Sequence, residues 1–173
     1  GEASPANTYL AIWMAEEAQL YEAQGLELRV VPMNGGSQTA PELEAGNIQL
    51  MHIGMSSVVR ANMMGSDLRV IGSLSNVIRH TMFLAPGVRG AEDLRGRAVG
   101  ISSAGSESDS TTTLGLERIG LTREDVRIRE IGRDRLDQLR RGMVSATMLG
   151  EPSRSEALAM ELNPIVDLYA DRI

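Results

Sequence analysis

Leu43-Glu44-Ala45-Gly46-Asn47-Ile48 returns in residue type as Leu139-Arg140-Arg141-Gly142-Met143-Val144. Each copy then runs through four residues to an apolar-Gly pair, Ile53-Gly54 and Leu149-Gly150. The offset is constant, since 142 − 46 and 150 − 54 both give 96. Upstream, Gly25-Leu26 and Gly120-Leu121 stand 95 apart. Each half therefore spells helix, Gly stop, strand, turn, helix, Gly, strand, Gly, loop. A repeat of whole supersecondary units points to duplicated architecture. The expected fold class is α/β, with two Rossmann-like lobes built on mixed, mostly parallel sheets.

Reading outward, residues 9–24 place Leu10, Trp13, Met14, Leu20 and Tyr21 near helical spacing, with Gly25 as the stop. Strands are expected at residues 26–33, 48–53 and 68–74, and helices at 37–45 and 56–64. Residues 79–85 read as extended and lead into Pro86-Gly87, the clearest punctuation in the chain. Beyond it, strands are expected at 97–102, 126–131 and 144–149. Helices are expected at 91–94, 110–119, 133–141 and 152–161. The implied organisation is lobe one over 1–78, a hinge crossover at 79–87, lobe two over 88–166, and the start of a return to lobe one at 167–173.

Composition narrows the chemistry. With 42% hydrophobic and 23% charged residues the chain is an ordinary globular sequence. No apolar run approaches the roughly 20 residues that span a bilayer, so direct membrane insertion is not expected. The net charge of −6 argues against nucleic acid as a partner, because its phosphates need a clustered basic surface. There is no Cys, and all 17 basic residues are arginine. Thiolate catalysis, Schiff-base lysines and phosphate-loop motifs are thereby excluded. The only histidines, His52 and His80, have no metal-ligand spacing around them. No metal, no cofactor and no enzymatic activity are expected.

Several segments together resemble a known family. They are Leu10–Glu17 before Gly25-Leu26-Glu27-Leu28, then residues 43–53, then Ala91-Glu92-Asp93-Leu94-Arg95-Gly96-Arg97-Ala98-Val99-Gly100, Ser102-Ser103-Ala104-Gly105-Ser106, and residues 142–152. In this order they resemble the substrate-binding proteins of ABC importers for nitrate, sulfonate, taurine and thiamine precursors, the NMT1/SsuA-like group. The resemblance implies a type II periplasmic binding protein fold. It also implies capture of a small, anionic or polar organic ligand between two lobes, partnership with importer membrane subunits, and a periplasmic or extracellular, membrane-associated location. Gly1–Ala6 carries no secretory signal pattern. The resemblance places a strand before the first helix, which residues 1–7 are too short and polar to supply, and a return to lobe one, where the chain stops. Lobe one is therefore expected to be incomplete. Effector domains of regulators share the fold, as do enzymes acting on pyrimidines or aromatic acids. The first alternative stays open, and the second lacks the His, Cys or metal cluster its chemistry wants.

In open parallel sheets ligands bind beyond the carboxyl ends of strands, where loops meet helix N-termini. Small polar residues fall at those ends. The candidates led by Ser103, Gly105 and Ser106 include Ser37, Ser56, Ser57, Asn76, Tyr9 and Glu151. Backbone amides and hydroxyls there suit a small anion, helped by helix dipoles. Ser37, Ser56 and Ser57 equally suit N-capping, and Glu151 a first-turn helix acid. Glu107 and Asp109 oppose an anion unless they point away. Trp13 and His52 read as structural. Arg79-His80 at the hinge suits pairing with a ligand anion, but a solvated or inter-lobe salt bridge is the preferred reading.

Overall fold

A computed structural model of the chain describes residues 10–33, 36–75 and 77–170. Tyr9 and Asn76, and the turn residues Asn34 and Gly35, lie outside the described residues. In chain order the elements are α1 (Leu10–Glu17), α2 (Gly36–Glu44), α3 (Met55–Met63), β1 (Thr81–Leu84), β2 (Ala98–Ile101) and α4 (Glu107–Arg118), then β3 (Arg127–Glu130), α5 (Arg135–Arg140), β4 (Ala146–Leu149), α6 (Ser153–Ala159) and β5 (Pro164–Asp167). The fold is mixed α/β.

One five-stranded sheet, ordered β3-β2-β4-β1-β5, organises the second half. β2 pairs in parallel with both β3 and β4, whereas β1 runs antiparallel to β4 and β5. β1 falls within the segment read as the crossover and is one of the most buried strands, with Met82 and Phe83 fully covered. β5 begins at Pro164, a residue that argues against a strand in the sequence pattern, and was not expected there. Helices α4 and α5 pack on β2 and β4. Met82, Phe83, Val99, Leu116, Leu139 and Met148 fill the resulting core. Thr147, at the sheet centre, donates its hydroxyl to the Gly100 carbonyl at 2.8 Å, so the buried polar group is satisfied.

The first half departs from expectation. The strands expected at 26–33, 48–53 and 68–74 are not formed; among the described residues of this half only single bridge residues at Pro32 and His52 pair. No neighbouring strand among the described residues continues a ladder, and an alternating sequence cannot hold a sheet alone. A small cluster of Ala40, Val58 and Leu68, flanked by Leu43, Met51 and Ile53, serves as its core. Accordingly, all but three of the exposed large apolar side chains (Met143, Leu158 and Met160) precede residue 79. Helix α1 is shorter than its apolar pattern indicates: it stops at Glu17, before Gln19 takes a left-handed backbone, and buries no side chain.

The repeat is nevertheless written into the backbone. After α2, the Gly46 amide bonds to the Leu43 carbonyl and the Asn47 amide to that of Glu42; after α5, Gly142 bonds to Leu139 and Met143 to Gln138. Gly46 and Gly142 both sit near φ +70° (76° and 68°), where a Cβ is disfavoured. The same correspondence closes α3 and α6: Met64 to Arg60, Gly65 to Asn62 and Ser66 to Ala61 are matched by Met160 to Glu156, Glu161 to Leu158 and Leu162 to Ala157. Sheet formation distinguishes the halves; helix termination does not.

Candidate functional site

A cleft of about 2050 Å³ lies between the halves, walled by residues from 43–58 and 67–80 on one side and from 102–108, 133–140 and 149–156 on the other. Its polar wall is built where β2 ends and α4 begins. Ser106 caps α4, accepting from the Asp109 amide at 3.3 Å. The Ser102, Ser106 and Ser108 hydroxyls form a triangle with sides of 2.8–2.9 Å. The cap explains why α4 starts at Glu107 rather than at residue 110: the Ser-rich stretch reads as loop but supplies its own N-terminal acceptor.

Of the residues singled out in the sequence, Ser106 and Glu151 line the cleft. Ser37, Ser57, Ser103 and Gly105 instead meet each other across the halves. Ser37 and Ser103 share a hydroxyl–hydroxyl bond of 2.9 Å, and Ser57 donates to the Gly105 carbonyl at 3.4 Å. Ser56 is near them in sequence, with its hydroxyl buried and unpartnered. The Gly105 amide donates to Asp109 at 2.7 Å, and Arg123 holds the other Asp109 oxygen. Asp109 therefore serves its own loop. A Cβ at Gly105, already at φ +74°, would stand 2.7 Å from the Arg60 side chain, so the glycine allows the halves to approach. Glu151 accepts from the Ser155 amide at 3.1 Å and hydroxyl at 2.6 Å, stapling the first turn of α6. Burial alone would raise its carboxyl; those bonds and Arg154 outweigh it and leave the group below the usual range.

Three titratable groups on the cleft wall carried little weight in the sequence. Arg135 opens α5, is 9% exposed, and donates through Nε to the Met148 carbonyl at 3.1 Å. Burial draws its guanidinium down to about 10, with Glu107 pulling the other way. Glu107 is raised by burial, offset in part by Arg135. His80 is held down to about 4, first by burial and then by Arg135. One signal for Arg135 was present: a cation in the first turn of a helix stands at the wrong end of the dipole, which calls for a reason outside the helix.

Among the described residues no group of three or more His, Asp or Glu side chains is placed to hold a metal ion. No helix there is long and apolar enough to cross a membrane.

The chain matches the NMT1/THI5-like family over residues 7–163 and belongs to that family. No curated protein sequence matches it. Among solved structures it resembles a protein of Bordetella bronchiseptica RB50, with 22% identity and a TM-score of 0.84 over 96% of this chain and 55% of that one. It also resembles the alkanesulfonate-binding protein SsuA of Xanthomonas axonopodis pv. citri bound to MOPS, with 19% identity and a TM-score of 0.77 over 97% of this chain and 63% of that one. A third is the periplasmic aliphatic sulphonate binding protein SsuA of Escherichia coli, with 22% identity and a TM-score of 0.64 over 91% of this chain and 55% of that one. The likeness is one of fold. The chain spans between half and two thirds of the length of these three proteins.

Proposed function

We propose that the chain is a solute-capturing module, part of an extracytoplasmic binding protein that delivers a small polar or anionic organic ligand to an ABC importer. The observation that carries this reading is the cleft of about 2050 Å³ walled by both halves, with hydroxyls and a helix N-terminus on its polar side. That volume exceeds the several hundred Å³ of a pocket fitted to a small ligand. A ligand touching both walls would select a more closed arrangement, because only closure satisfies both sets of contacts. In this reading motion takes place about residues 79–87, with β1 travelling in the second half's sheet. Family membership and the sulfonate-binding fold relatives support the assignment. Ser106 and Glu151 are the sequence candidates on the cleft wall, with Ser106 buried in its hydroxyl triangle.

The test is a thermal-shift screen of the folded chain against small sulfonates, carboxylates, nitrate and pyrimidines. Ligand at 100 times its Kd adds about 2.7 kcal/mol of stability, so one chemical class should raise the midpoint clearly. A cooperatively folded sample that no class stabilises would remove the reading.

A further inference from the structure

We propose that Arg135 is the anion anchor of the cleft: its guanidinium receives the oxyanion head of the solute, two oxygens on its planar fork. This rests on the solute-capturing reading and names the ligand class within it. Three features converge on Arg135. It is almost fully buried yet forms part of the cleft wall. Its Nε is fixed by the Met148 carbonyl, which sets the plane of the fork. Its terminal nitrogens donate to no protein group among the described residues, and it forms no ion pair there. The Ser106 and Ser108 hydroxyls on the same wall are buried and bonded to Ser102 and to each other, so the oxyanion contact falls to the guanidinium.

The terminal nitrogens of Arg135 are not among the buried polar atoms that lack a partner, so they open onto the cleft, where a ligand oxyanion can replace solvent. Sulfonate, carboxylate and phosphonate groups match its fork geometry, and a point-charge partner would not use it as well. Glu107 shares the wall and balances part of the charge without pairing. Its carboxyl is backed by Gly54, where a Cβ would lie 2.5 Å from Oε2. The other charged groups on the second half's wall are Arg133, Asp134, Asp137, Arg140, Glu151 and Glu156; Asp137 is engaged by Arg140 and Arg141 and Glu151 by Arg154, each pair close in sequence. Arg135 is thus the buried cation left for a ligand.

Calorimetric titration with ethanesulfonate, propionate, methylphosphonate, ethylammonium and uncharged ethyl methyl sulfone provides the test. The chain should bind at least one anion about tenfold or more above the sulfone, as expected for charge-assisted hydrogen bonds. Arg135→Gln keeps a donor for the Met148 carbonyl and should lose that preference by about tenfold or more, with sulfone binding unchanged. Glu107→Gln removes the opposing carboxylate and should tighten the same anion. A folded Arg135→Gln chain that binds the anion as tightly as the parent overturns the assignment and leaves solute capture standing. So does a parent that binds only ethylammonium or the sulfone. Should Arg135→Gln fail to fold, Glu107→Gln decides, and unchanged or weaker anion binding counts against the anchor. A parent that binds none of the five overturns both readings.

Discussion

His80 concentrates the consequences of placing a titratable ring beside a buried cation. Its imidazole, held down to about 4, stays neutral where an unfolded chain, near 6.5, becomes charged. Between those values the unfolded state binds more protons, so stability rises with pH across the window and is lost as acid is added. The full span corresponds to about 3 kcal/mol. Glu107 works with the opposite sign: its raised carboxyl takes a proton more readily in the folded chain, so mild acid relieves it. The measurable quantity is therefore a difference. Denaturant midpoints followed between about pH 7 and pH 4 should fall less steeply in His80→Gln than in the parent. Parallel profiles would show that His80 is not shielded. Thr147 offers a second case, because its hydroxyl satisfies a carbonyl inside the sheet. Thr147→Val preserves shape and removes only the hydroxyl's bond, because the Gly100 carbonyl still faces the β4 ladder, and it should cost about 0.5–1.5 kcal/mol in chemical denaturation.

At the scale of elements, one sequence repeat produces the same helix endings in two settings of different depth. Leu139, in α5, is fully buried under the sheet, whereas its counterpart Leu43, in α2, is only partly covered. Leu139→Ala should therefore cost about 3–5 kcal/mol and Leu43→Ala about 1 kcal/mol or less, measured by urea unfolding. Equal losses would mean that the first half buries more than the geometry indicates. The repeat made the helix stops legible, since Gly after a periodic run has a local cause. The strands of residues 26–74 were legible only as propensity. A strand's existence depends on its partner, and alternation in one segment says nothing of whether a neighbour is present. For the same reason the hydroxyls of the site could be found by position, with Ser106 on the cleft wall. Ser37 and Ser103 could not be assigned to mutual contact, because their meeting depends on how the halves approach.

For the whole molecule, stability is unevenly spread. The second half holds the main core and the sheet, while the first rests on a cluster of three buried apolar residues. Native-state hydrogen exchange should show amides of β1 and β4 protected to the global limit. Residues 69–75, which form no helix or strand, should open at about 0–1 kcal/mol. Uniform protection across both halves would contradict that division. A ligand that bridges the cleft should raise protection in the first half most, since that is where freedom remains to be lost. Arg135 was the least legible part of the site. A lone arginine among 17 basic side chains stands out only after burial separates it from the solvated ones.

Trp13, the single tryptophan of the chain, sits on α1 at 38% exposure. Its fluorescence therefore reports the first half alone, while circular dichroism sums the helices of both. Whether the two signals trace one sigmoid or two during denaturation reads out, without any label, whether the halves melt as a single cooperative unit.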